Sequence, residues 1–166
     1  MRTVKETDMT RWIRFGCALV LVLASARFGA GGNGEGGAVE EAVLKAHHEM
    51  VAAADALDIE GFFAFILDTA AGPVIQDGRL FPTRAEALEV VERSFEGVAR
   101  VERAYESEDV TLISGEAALL TGRGTSTVTL EDGRSFQSPF AVSLVFVLKD
   151  EGWRVLHGHY SAPNPR

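Results

Sequence analysis

The sequence predicts an α+β domain in which about three helices pack on one face of a curved antiparallel sheet. Three observations carry this. Apolar side chains recur at three- and four-residue steps between Ala38 and Leu57, a helix-start signature stands at Thr83, and beyond Gly97 the pattern changes to period two. With 166 residues, 46% hydrophobic and 24% charged, the chain suits one globular domain and excludes a long disordered or collagen-like chain.

The N-terminus is set apart from that domain. Arg11 and Arg14 precede an apolar run, Phe15 to Ala26, that ends in Ala24-Ser25-Ala26, so residues 1–26 are expected to be a secretory signal peptide. The run is shorter than the roughly 20 residues of a spanning helix, and an uncleaved membrane anchor is the alternative. Met9 is a second candidate start. Cys17, the sole cysteine, lies inside the run, so the remaining domain holds no disulfide. Residues 27–37 are rich in glycine without apolar periodicity and are expected to form a flexible linker.

The domain itself is expected over residues 38–163. Val39, Val43, Ala46, Met50, Ala54 and Leu57 predict a first amphipathic helix. Asp58 can cap a second helix, Ile59 to Leu67, whose Phe62, Phe63, Phe65 and Ile66 leave almost no polar face. Between Pro73 and Pro82 the pair Asp77-Gly78 predicts a hairpin. Thr83 and Glu86 form a capping box for a third helix that runs to about Glu96 and stops at Gly97. Four strands are expected at Val101–Ser114, Ala117–Leu130, Ser135–Lys149 and Trp153–Ser161, with bends or bulges near Pro139 or the Gly122 and Gly124 pair.

The net charge is −8, and residues 1–26 carry four basic groups against two acidic, so the domain alone is more acidic still. Such a balance argues against nucleic acid and anionic lipid as partners. There is no phosphate-cradling glycine loop, nucleophile elbow or complete metal-ligand set, and the expectation is no cofactor and no metal.

The closing stretch Gly152 to Ser161, GWRVLHGHYS, behind three long strands and an Ala- and Phe-rich helix pair, resembles the nuclear transport factor 2-like superfamily. Within it the chain is most similar to the SnoaL-like branch and to the association domain of calcium/calmodulin-dependent protein kinase II, over about Val39 to Pro163. The resemblance implies a conical fold whose sheet curls round a pocket roofed by helices. It also implies isomerase, cyclase, dehydratase, transport or ligand-free dimerisation roles, among which shape alone does not choose.

Arg123 matches a position where these relatives often carry an arginine pointing into the cone. A buried arginine needs a carboxylate, from a ligand or from an internal partner such as Asp68 or a strand glutamate. Alternation on the last strand separates Trp153, Val155, His157 and His159 from Leu156, Gly158 and Tyr160. The resemblance places the second set inside, because an association-domain pocket arginine aligns with Tyr160. His157 and His159 then face outward, as hydrogen-bonding groups, as the start of a metal site without a third ligand, or as acid–base groups. His47 and His48 are adjacent on helix one and point in different directions, so they are not expected to pair. Two further basic pocket positions of the association domain fall on Leu144 and Ala87, which weakens the case for an anionic ligand.

The leading expectation is an exported protein, secreted or periplasmic, and a homodimer through the third long strand, with a mainly apolar pocket for a small organic molecule lined by Arg123, Phe146 and Tyr160. One rival is a cofactor-independent isomerase, cyclase or hydrolyase using Asp68, His157 or His159 as base, with Tyr105 or Tyr160 holding an enolate. The other is a dimerisation or interaction module whose cone is filled by Phe62, Phe65, Phe140 and Phe146.

Overall fold

The computed structural model describes residues 33–69 and 72–163. The expected signal segment and positions 27–32 of the expected linker lie outside the described residues. Helix α1 (Asn33–Asp55) opens inside the glycine-rich stretch, so positions 33–37 are helical rather than linker. Once the apolar stripe has nucleated a helix, each further residue adds a hydrogen bond, which offsets the roughly 1 kcal/mol that glycine loses against alanine.

The buried stripe of α1 is Val43, Ala46, Met50 and Ala54, as the spacing predicts, and His47 joins it at 1% exposure. Leu57 ends the helix by turning into the left-handed region at φ 61, which lets the Asp58 N–H reach the Ala53 carbonyl at 2.9 Å. Asp58 Oδ1 then accepts from the Gly61 N–H at 2.8 Å and caps α2 (Ile59–Ala64). The second helix stops three residues short of Leu67, because the chain turns into the sheet. Phe65 accepts from Val155 at 2.8 Å, and Leu67 donates to Val155 at 2.9 Å.

Strands β1 (Val74–Gln76) and β2 (Arg79–Phe81) form the expected hairpin, with Asp77 and Gly78 both at positive φ. Thr83 Oγ1 accepts from the Glu86 N–H at 3.2 Å and starts α3 (Arg84–Ser94). The strands β3 (Val98–Ser114), β4 (Ala117–Leu130), β5 (Ser135–Lys149) and β6 (Gly152–Ser161) complete a curved six-stranded sheet in the order β2-β1-β6-β5-β4-β3. All neighbours are antiparallel except β1, which runs parallel to β6.

Two bulges decide which side chains look inward. Tyr105 pairs with Gly124 and Ser107 with Arg123, leaving Glu106 as an extra residue in β3. In β6, His157 pairs with Val145 and Val155 with Phe146, leaving Leu156 extra. Strict alternation therefore breaks at Leu156. Trp153 and Val155 are buried before it and Gly158 after it, while Leu156 itself is 39% exposed. Trp153 and Val155 thus share the inward side with Gly158, contrary to the alternation expected from the sequence.

Phe63, Leu120, Leu144, Phe146 and Val155 form the centre of the core, each contributing roughly 1.5–3 kcal/mol by leaving water. Among the described residues no helix is long and apolar enough to cross a membrane.

Candidate functional site

A cavity of about 210 Å³ opens between the C-terminal half of α1, α2, the end of α3 and the inner face of β3 to β6. That is the liquid volume of about seven waters at ~30 Å³ each, so the cone has room for a compact molecule. Met50, Ala54, Ile59, Phe62, Phe140 and Val142 supply apolar wall.

Tyr160 lines the cavity, and its hydroxyl is buried with no hydrogen-bond partner among the described residues. Burial pushes this phenol well above its ordinary pKa, and the neighbouring Tyr105 adds to the shift, so it stays a neutral donor. A buried hydroxyl without a partner costs about 1–3 kcal/mol. Tyr105 lines the same cavity, its pKa likewise raised by burial, and its ring packs edge-on against Phe140 with centroids 5.0 Å apart. Arg103 also lines the cavity and forms an ion pair with Asp55, so its charge is answered inside the protein.

Behind Tyr105 the chain brings together three groups that the sequence did not suggest as a set. His47 Nε2 lies 3.3 Å from the Tyr105 hydroxyl, and His47 Nδ1 lies 2.8 Å from Glu108 Oε1. His48 Nε2 reaches the same carboxylate at 3.0 and 3.2 Å. Successive helix positions do point apart, but Glu108 on β3 sits between the two directions and meets both rings. Burial lowers the pKa of His47, and its hydrogen bond to the Glu108 carboxylate works against that shift. The adjacent His-His pair was the available signal; its partner lies 60 residues away, at no spacing that a local pattern could reveal.

The other expected site residues are placed as follows. Arg123 is 69% exposed and pairs loosely with Glu106 at 3.7 Å on the outer face, so it does not line the cavity. Ala118, Leu120, Gly122 and Gly124 are the buried set of β4, which turns Arg123 outward. Phe146 is fully buried in the core, packed against His47, and not on the cavity wall. Asp68 is exposed and away from the cavity, because the chain has by then turned along β6. His157 Nδ1 donates to the Gly72 carbonyl at 3.1 Å, and His159 is exposed.

A model of the SnoaL-like domain family matches residues 41–165. No curated protein matches the chain in sequence. Solved structures do match in fold. A proposed dehydratase of the nuclear transport factor 2-like family from Streptomyces avermitilis is 17% identical, with a TM-score of 0.67 over 78% of this chain and 99% of that one. A ketosteroid isomerase-like protein from Erwinia carotovora atroseptica is 22% identical, with a TM-score of 0.63 over 75% and 96%. A proposed calcium/calmodulin-dependent protein kinase II association domain from Xanthomonas campestris is 16% identical, with a TM-score of 0.64 over 75% and 87%.

Proposed function

The chain belongs to the SnoaL-like domain family, and we propose that its cone binds a compact, largely apolar organic molecule bearing one hydrogen-bond-accepting oxygen. The observation that carries this reading is a cavity with room for a ligand, one of whose lining residues, Tyr160, holds a buried hydroxyl without a hydrogen-bond partner among the described residues. Apolar walls with a few convergent polar groups are the usual composition of a small-molecule site. The internal pairing of Arg103 with Asp55 favours a neutral ligand over an anion.

The open cavity counts against a filled cone that serves only as an interaction module. A catalytic reading through Asp68, His157 or His159 lacks support, since none of the three lines the cavity.

The reading extends to place and assembly. Arg11 and Arg14 ahead of the apolar run support export to the periplasm or beyond. Ser143, Val145 and Val147 on the outward side of β5 are wholly or partly exposed in the single chain, which supports a homodimer through the sheet.

Native mass spectrometry on the protein purified from its own host tests the central claim. A small-molecule mass retained under gentle conditions, lost on denaturation and weakened in Tyr160→Phe is the expected result. A clean apo mass at every preparation would overturn it. The same spectra report the subunit count and the mature N-terminus.

A further inference from the structure

We propose that His47, His48 and Glu108 form a binding site for a divalent transition-metal ion of the zinc type, which clamps α1 to β3. This inference is independent of the ligand reading above. The donor atoms of these three residues all lie within 4.8 Å of one another, the one such group among the described residues. They come from two elements and from positions 60 and 61 residues apart, so the fold itself assembles them.

The spacing suits an ion. Zinc holds nitrogen and oxygen donors at about 2.0–2.2 Å in a tetrahedron, which sets neighbouring donors roughly 3.3–3.5 Å apart. His47 Nδ1 and His48 Nε2 stand 2.8 and 3.0 Å from Glu108 Oε1, a few tenths of an ångström inside that spacing, and the two ring nitrogens lie within 4.8 Å of each other. Two imidazoles and one carboxylate are a borderline donor set, which favours zinc, copper or nickel over calcium or magnesium.

The surroundings fit as well. The His48 side chain is 59% exposed, which leaves a route for entry and room for a water ligand, while His47 and Glu108, at 1% and 19%, are held in place. A ligating histidine usually donates its second ring N–H to an oxygen that fixes its orientation. Here the Tyr105 hydroxyl stands 3.3 Å from His47 Nε2. With a metal on Nδ1, Nε2–H donates to Tyr105. Without one, Nδ1–H donates to Glu108 and Nε2 accepts from Tyr105. The two states therefore differ in the tautomer of His47.

The test uses the full chain, untagged and stripped with chelator, in equilibrium dialysis against zinc chloride. The expected result is one zinc per chain, a raised melting temperature, and transfer of the His47 proton from Nδ1 to Nε2 by nitrogen NMR. His48→Ala, at an exposed helix position, and Glu108→Gln each remove a ligand and should weaken binding by at least the roughly 10- to 100-fold that loss of an outer partner of a ligand costs. A His157→Ala/His159→Ala double variant should bind as the parent does. Circular dichroism on each variant separates loss of a ligand from loss of fold. Substoichiometric zinc at saturating concentration, undiminished binding in folded His48→Ala, or loss of binding in the double variant would each overturn the proposal.

Discussion

Gly122 and Tyr105 face each other across β4 and β3 so closely that a Cβ on Gly122 would stand 3.1 Å from Cε1 of the ring. The glycine gives Tyr105 its place beside the cavity. Gly122→Ala should displace the ring by a few tenths of an ångström and lower stability by about 1–3 kcal/mol, as overpacking does. Two positions along, a Cβ on Gly124 would lie 2.2 Å from the Ala104 carbonyl oxygen, which is backbone and cannot rotate away. Gly124→Ala should therefore be the more damaging change, visible as the lower urea midpoint of the two. Equal midpoints would mean that β3 shifts freely, and that the Glu106 bulge is soft.

Tyr160→Phe should move stability and binding in opposite directions. Removing a buried hydroxyl that has no partner among the described residues relieves an unmet desolvation cost, so the ligand-free protein should gain about 1–3 kcal/mol. The same change removes the donor proposed to hold the ligand oxygen. Melting temperature and ligand retention, measured on one preparation, read both effects. A variant that loses stability would show that the hydroxyl already has a partner in solution.

The buried phenol also sets an alkaline limit. Burial, with a further push from Tyr105, raises the folded pKa of Tyr160 above its unfolded value near 10. Below pH 10 both states hold the proton, and the group adds no pH dependence to stability. Above it the unfolded chain releases the proton first, so stability falls as pH rises. Urea midpoints from pH 8 to 11 should decline beyond pH 10, and the decline should be shallower in Tyr160→Phe.

Much of this was legible in the sequence, and what was not has identifiable causes. The stripe from Val43 to Ala54, the caps Asp58 and Thr83, and the turn at Asp77-Gly78 are local signals, and each stands where its chemistry requires. Arg123 misled because alternation fixes which residues share a face but not which face is inside, and the resemblance alone turned this one inward. Gly122 and Gly124 held that answer, since positions without side chains are where another strand's ring and backbone approach. Leu156 could not be foreseen, because a bulge depends on the partner strand's register. The meeting of His47, His48 and Glu108 joins α1 to β3 across the whole domain, beyond any local pattern.

Asp55 is expected to decide the charge preference of the cavity. Its carboxylate pairs with Arg103, and with side chains 22% and 29% exposed the pair is reached by water only in part. Asp55→Asn would leave the guanidinium beside the cavity without its counter-charge. The stability loss should be about 1–2 kcal/mol, short of the ~3–5 kcal/mol of a fully buried pair because solvent screens the remaining charge. A small carboxylate should then find a partner there. Benzoate, compact and mostly apolar, is a suitable probe by isothermal titration at low ionic strength. The expected outcome is measurable binding to Asp55→Asn, little to the parent protein, and a fall in affinity as salt is added. Equal benzoate affinity in the two proteins would show that Arg103 is not available to a ligand, and that Asp55 serves only to tie the end of α1 to β3.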